Sequence, residues 1–315
     1  MEAATAEAVA TAAIEGERLP PDEVRSSVAR RLGLETAALP PTSRSVDGLV
    51  EMMLDATQRF DAPLTKDRIC GWHAALFPTG RSGMHPITTG AWRRPDGDPM
   101  QVVSGAMGRE RVHFEAPEAA RLEHEMARFF AWSAAPPTAD GVLLAGLAHL
   151  WFVTIHPFDD GNGRVARAIA DHFIARADGS RQRYFSMSAE IALDRAEYYR
   201  QLERTQRGTM DVTEWLTWFV ACLDRAVQRA LGTQQAAIDR AERWRRWNVH
   251  PLNARQRTVL TRMSGDFDGL MTNRKYRLLA DCSDDTALRD LTALVKWGVL
   301  EPTQAGGRSR SYRLG

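Results

Sequence analysis

Residues 156–167 read His-Pro-Phe-Asp-Asp-Gly-Asn-Gly-Arg-Val-Ala-Arg, directly after an apolar helical run from Leu144 to Ile155. His156 therefore falls at a rigid helix end, where an imidazole can titrate near neutrality and accept a proton. Asp160 follows in a turn broken by Pro157 and Gly161; a carboxylate beside a phosphate site commonly holds Mg²⁺, with phosphate oxygens as the other ligands. Gly161-Asn162-Gly163 opens backbone angles closed to other residues and turns successive amides toward one point at the start of the next helix. Oriented amides and a positive helix end together make an anion cradle. Arg164 and Arg167 are three apart, share a helix face, and can both reach bound oxygens. Phe158 reads as a buried anchor. A proton acceptor, a metal carboxylate and an anion cradle within twelve residues point to a nucleoside triphosphate as the ligand.

Each of these residues alone has an ordinary structural explanation, but the chance of coincidence falls with every fixed position in a helix-loop-helix context. The stretch resembles the motif of the Fic family, His-x-Phe-x-Asp/Glu-Gly-Asn-Gly/Lys-Arg-x-x-Arg, and matches it throughout. The resemblance implies transfer of AMP from ATP to a protein hydroxyl. His156 would deprotonate the Tyr, Ser or Thr nucleophile, and Asp160 would hold Mg²⁺ between the α- and β-phosphates. Gly161, Asn162, Gly163 and Arg164 would bind those phosphates, and Arg167 the γ-phosphate. Such chemistry is mainly positioning and charge neutralisation with one base.

A second stretch, Thr11-Ala-Ala-Ile-Glu-Gly16, lies near the N-terminus. Ala3 to Ile14 is a short Ala-rich helix stopping at Gly16, which leaves Glu15 at the negative helix end and in need of a cation. The stretch resembles the Ser/Thr-x-x-x-Glu-Gly/Asn inhibitory motif of Fic proteins that carry their own inhibitory helix. By that resemblance Thr11, Glu15 and Gly16 are inhibitory residues and Arg167 is the partner of Glu15. Ser43 to Gly48 mimics the pattern with Asp47 in place of Glu, but lacks the flanking match.

Met100 to Gly105 and Arg111 to Pro117 read as a hairpin across a Gly-containing turn, with Gly90 to Arg94 as a further strand-like stretch. The resemblance implies a flap over the active site, with Val102, Val103 and Ser104 pairing with the target backbone by strand addition. Tyr198 and Tyr199 lie on a helix, and either can wall an adenine pocket. Trp215, Trp218 and Phe219 share one helical face and read as core.

The 315 residues carry 44% hydrophobic content, enough for a main core and a second domain. With 41 Lys and Arg against 40 Asp and Glu, the balance argues against wholesale coating of nucleic acid. Cys70, Cys222 and Cys282 lack metal-type spacing and suggest free thiols in a reducing cytoplasm. No apolar run is long enough to span a bilayer, and the Ala-rich start carries Glu2 and Glu7 rather than basic residues.

The fold expectation is a mainly α protein: a Fic-type helical core with a β-hairpin flap, plus a C-terminal winged helix-turn-helix domain. Residues 1–40 form the inhibitory segment, 41–235 the catalytic core, 236–253 a linker helix and 254–315 the winged helix. Pro136-Pro137 marks a loop. In the tail, helices at Ala254 to Met263, Thr272 to Ala280 and Asp285 to Trp297 precede a wing from Glu301 to Arg313 with Gly306-Gly307 at its tip. Eleven Lys and Arg against seven Asp and Glu in residues 254–315 give a net of +4, with Arg308, Arg310 and Arg313 on the wing. Asp284, Asp285 and Asp290 would repel phosphates from the recognition helix, so DNA contact and a protein-interaction or homodimer role stay open.

The main functional expectation is an autoinhibited, Mg²⁺-dependent protein adenylyltransferase. Its alternatives are a DNA-binding regulator with a nucleotide-sensing core and removal of AMP in the same site. ATP and a protein with an exposed hydroxyl are the expected partners.

Overall fold

Two hydrophobic centres organise the chain, and the division between them falls inside one helix. The computed structural model describes residues 1–34, 40–95, 99–104, 111–135, 138–265, 267–303 and 310–315. Its two units are Met1–Ala230 and Leu231–Gly315.

The first unit is built on α6 (Gly141–Ile155) and α7 (Asn162–Asp178), which flank the twelve-residue motif. Asp140 caps α6 by accepting from the Val142 amide. Leu144, Ala145, Ala148, Phe152 and Ile155 are buried, so α6 is a core helix rather than an amphipathic surface one. Around this pair lie α1 (Glu2–Ile14), α2 (Pro21–Arg31), α3 (Arg44–Gln58), α4 (Lys66–Leu76), α5 (Leu122–Ala134), α8 (Met187–Leu193), α9 (Arg195–Arg207) and the first part of α10 (Thr213–Trp247). The Ala-rich α1 is part of this core, with Ala8, Ala12 and Ile14 fully buried. Trp215 and Phe219 are core as their spacing requires, and the Trp215 indole donates to the Gly146 carbonyl at 2.8 Å.

Two small antiparallel ribbons lie within this unit: β1 (Arg81–Ser82) with β2 (His85–Pro86), and β3 (Gln101–Ser104) with β4 (Arg111–Glu115). The second pairs parts of the two stretches, Met100 to Gly105 and Arg111 to Pro117, that were expected to form a hairpin. Its register shifts between Val102 and Val103, leaving His113 as the extra residue of a bulge. The side chains of Val103 and Ser104 and the hairpin tip lie outside the described residues, as do Pro136-Pro137, Gly306-Gly307 and Arg308.

Gly90 to Arg94 is not a strand. The Arg93 amide donates to the Pro157 carbonyl at 2.9 Å, so this backbone straps the motif loop instead of joining a ladder. Asp47 sits in the first turn of α3, accepts from the Ser27 and Thr42 hydroxyls, and ties α2 to α3; it makes no contact with α7 arginines among the described residues.

Of residues 236–253, expected as a linker helix, those up to Trp247 are the end of α10, a single 35-residue helix that starts at Thr213. In the second unit α11 (Ala254–Met263), α12 (Asn273–Ala280) and α13 (Asp284–Lys296) enclose Val259, Leu260, Tyr276, Leu291 and Leu294. Asn253 and Gln256 form a reciprocal capping box on α11. A three-stranded sheet follows, with β5 (Met271–Thr272), β6 (Leu300–Pro302) and β7 (Ser311–Leu314) in the order β5-β7-β6. Asp290 does not face outward as expected: it is buried and accepts from Asn253, Arg255 and Tyr276. Burial opposes its charge, but these donors outweigh it and hold the carboxyl below its ordinary value.

Candidate active site

The motif loop is shaped by two left-handed residues. His156 closes α6 with φ +52°, a strained conformation for a residue with a side chain, and Gly161 opens α7 with φ +81°. A Cβ on Gly161 would also meet the Phe77 ring at 2.8 Å, so only glycine fits the turn. Between them Phe158 is fully buried, stacked on His73 with ring centroids 3.9 Å apart.

The Asn162 side chain does not turn toward a ligand. Its Oδ1 accepts from the Phe158 amide at 3.0 Å and its Nδ2 donates to the Phe158 carbonyl at 2.8 Å, which locks the loop. Its contribution to an anion site is therefore the backbone and the shape it imposes.

His156 Nδ1 lies 3.2 Å from the Val153 carbonyl. A carbonyl can only accept, so Nδ1 carries the proton and Nε2 keeps its lone pair. Burial, with Arg93 adding to it against the Val153 bond, pulls the imidazole down to about 4, and the ring is neutral at pH 7. Arg93 Nε donates to the His156 carbonyl at 3.0 Å and its guanidinium also reaches the Pro117 carbonyl, fixing the strained residue from behind.

Asp160 is half exposed at the loop. Its carboxylate accepts from the Ser82 hydroxyl and the Gly161 amide, and Arg164 Nη2 is 3.8 Å away. His73 Nδ1 accepts from the Gly90 amide at 3.1 Å and Nε2 donates to the Asp160 carbonyl at 3.1 Å. Burial lowers His73 to about 4, consistent with a neutral, fixed tautomer. Asp159 accepts from the Thr88 amide at 2.8 Å. His73, Ser82, Thr88 and Arg93 were not singled out from sequence. They lie 87, 78, 71 and 63 residues upstream of the motif residues they meet, and nothing in their local pattern marks them for this site.

The two arginines are occupied by the N-terminal segment. Arg167 Nε donates to Thr11 Oγ1 at 2.7 Å; its Nη2 donates to the Thr11 carbonyl at 3.0 Å and to Glu15 Oε1 at 2.7 Å. Burial opposes the Arg167 charge, and the Glu15 carboxylate more than compensates, holding the guanidinium above its ordinary value. Glu15 lies against Gly163, where a Cβ would come within 2.3 Å of its oxygen. Arg164 Nη1 donates to Glu17 at 2.9 Å. Arg164 Nε and Arg167 Nη1 are buried and without a partner among the described residues. Buried donors left unmatched beside a helix N-terminus are costly unless an anion completes them.

The tyrosines separate. Tyr198 is fully buried and bonds His149 Nε2 at 3.1 Å, so it is a core residue and not a pocket wall. Tyr199 is only partly buried; its hydroxyl lies 3.3 Å from the Ile14 carbonyl and 3.4 Å from Glu15 Oε2.

A base with a free lone pair, a half-exposed carboxylate and two anion-seeking guanidiniums thus meet at one turn. Residues 63–174 match the Fic/DOC family. The Fic segment runs from the start of α4 through most of α7, and so holds His73, Arg93 and the whole motif. Residues 1–34 match a domain of unknown function, DUF4172. The chain is similar to a protein adenylyltransferase Fic of Nematostella vectensis, 32% identical over 120 residues, which is 38% of this chain and 26% of that protein. It is also similar to a uridine 5'-monophosphate transferase of Xanthomonas campestris pv. campestris, 31% identical over 122 residues, 36% of this chain and 22% of that protein. The chain thus spans about a quarter of the length of these curated relatives. A solved Fic family protein from Desulfovibrio desulfuricans G20 shares the fold with a TM-score of 0.55 at 20% identity, over 100% of this chain and 86% of that one.

Proposed function

We propose that this chain transfers a nucleoside monophosphate, AMP from ATP, to a Tyr, Ser or Thr hydroxyl of a protein, and that α1 holds it in check. The observation that carries the reading is a neutral His156 set beside two buried arginines that each retain an unmatched donor. As the target oxygen bonds to the α-phosphorus, its proton passes to His156 Nε2. The bond from that phosphorus to the bridging oxygen of the β-phosphate breaks, and pyrophosphate leaves. The first amides of α7, Arg164 and Arg167 take up the charge of the phosphates.

The donor set fits a hard divalent cation. Asp160 presents a half-exposed carboxylate beside these anion-seeking groups, and Mg²⁺ is usually held by one or two carboxylates plus phosphates. Asp160 would hold it, and the ion supplies charge neutralisation at the phosphates. The β3–β4 hairpin would receive the target. Arg207 on α9 occupies the Val112 carbonyl of β4, and this favours β3 as the strand whose outer edge pairs with an incoming backbone.

Donor choice has a specific alternative, because one relative is named a UMP transferase. Incubating the Glu15→Gly protein with Mg²⁺, a cell lysate and labelled ATP or UTP tests both. Label from ATP supports AMP transfer, label from UTP alone moves the donor to uridine, and label from neither refutes the transferase reading. For the C-terminal unit the reading is partner recognition through a winged helix. Internal pairing of Asp290 removes one of the three carboxylates that argued against DNA.

A further inference from the structure

The segment that follows α1 places a second acid on the site. Glu15 is the C-cap of α1, and Gly16 takes φ +83°. The Gly16 amide donates to the Ala13 carbonyl and the Glu17 amide to the Ala12 carbonyl, both at 3.0 Å. This is the double hydrogen bond of a Schellman ending, which turns the chain sharply after the helix. The turn sends the two carboxylates that flank Gly16 to successive arginines of α7: Glu15 to Arg167 at 2.7 Å and Glu17 to Arg164 at 2.9 Å.

The two contacts differ in depth. Glu15 is 27% exposed, lies against Gly163 and is also approached by the Tyr199 hydroxyl. Glu17 is 46% exposed, and Arg164 is its one ion-pair partner among the described residues. Arg164 itself is 8% exposed, stacks over Phe77 at 4.9 Å, and has a buried Nε without a partner. It is therefore a rigid cation with Nη1 on an outer carboxylate, Nη2 3.8 Å from Asp160 and Nε still unmatched. An anion arriving at the first turn of α7 needs that guanidinium, and must displace or face the Glu17 carboxylate to reach it.

We propose that Glu17 is an outer latch that competes with the nucleotide's polyphosphate for Arg164. It sets how tightly the triphosphate enters, while the inner acid Glu15 sets whether the bound triphosphate is aligned for transfer. The inference rests on the nucleotide-transfer reading and adds a residue and a separable quantity to it. Two carboxylates on one short turn divide the inhibition: the outer one acts on affinity, the inner one on rate at saturation.

The experiment is calorimetric titration of the whole protein with Mg²⁺-ATP and with inorganic pyrophosphate, for the parent, Glu17→Gln, Glu15→Gln and the double variant. AMP incorporation at saturating ATP is measured alongside. Glu17→Gln keeps the size of the half-exposed side chain while removing its charge and one acceptor oxygen, and its thermal midpoint checks that the fold is kept. A half-exposed pair in contact with one guanidinium is worth up to about fivefold in affinity. Glu17→Gln is expected to tighten both ligands by about that factor, with the change falling on Kd rather than on the saturated rate. Glu15→Gln is expected to act mainly on the saturated rate. An unchanged Kd for Glu17→Gln beside measurable binding by the parent overturns the latch and leaves the transferase reading standing. Absence of binding in every variant overturns the anion site and the latch with it.

Discussion

Replacing Glu15 by glycine removes the carboxylate that Arg167 Nη2 holds at 2.7 Å, while both bonds to Thr11 remain and keep α1 docked. The parent protein must surrender this pair before a phosphate can take the guanidinium in full bidentate geometry. Removing one partner of a buried pair is worth ~3 to 5 kcal/mol, and the 27% exposure of Glu15 places this one at the lower end, ~3 kcal/mol. That is a factor of about 150 in an equilibrium constant. If the aligned pose holds ~1% of the nucleotide-bound parent, it rises to about 60% in the variant, and transfer rises roughly sixtyfold. Labelled AMP incorporation into the protein itself and into lysate proteins measures it. Asp47→Gly is the control, since Asp47 braces α2 against α3, and it should leave incorporation near the parent level. Glu15→Gly combined with Arg167→Ala should lose the gain. Equal incorporation by Glu15→Gly and the parent would refute the argument, and activation by Asp47→Gly would move the inhibitory role to α3.

His156→Ala should lower transfer by ~10² to 10⁴ while nucleotide binding persists, because only the proton acceptor is lost; unchanged transfer would remove His156 from the mechanism. Since burial holds His156 down at about 4, the Glu15→Gly protein should keep a level rate from pH 8 to pH 6, whereas a half-maximal point near 6.5 would mean an ordinary imidazole. Burial raises the Asp171 carboxyl to about 7 against the pull of Arg183, with Glu7 adding to the rise. A raised carboxyl contributes stability that is fully present below its unfolded value near 4 and lost as pH climbs to about 7. The urea midpoint should therefore fall less between pH 5 and pH 8 for Asp171→Asn than for the parent, and parallel curves would contradict this. If the C-terminal unit binds DNA, binding by the whole protein should weaken steeply with salt and further in Arg310→Ala; a flat signal at low salt would leave protein interaction as its role.

Much of the site was legible because its parts are consecutive. Helix end, turn and helix start place His156, Asp160, Gly161 and the two arginines within reach of one another through local geometry alone, and Gly16 marked where α1 stops. Helix electrostatics showed that Glu15, at a negative helix end, needs a cation, and the resemblance to the inhibitory motif named Arg167 as that cation. Sequence likewise separated the apolar core helix from the polar second half of α10, though not the continuity of that helix.

Packing decided the rest. Tyr198 and Tyr199 are neighbours with the same chemistry, yet one is buried on His149 and the other meets Glu15, because a helix turns adjacent side chains to different faces. Asn162 spends its amide on Phe158, and Asp290 turns inward to Arg255, outcomes set by which donors the fold brings near. His73 and Arg93 reach the motif loop from 87 and 63 residues upstream, and no local periodicity records such a distance. Glu17 stands two residues from an acid already recognised. Its partner became visible only when the turn at Gly16 and the first turn of α7 were seen together, since an ion pair between residues 147 positions apart is a property of the tertiary fold.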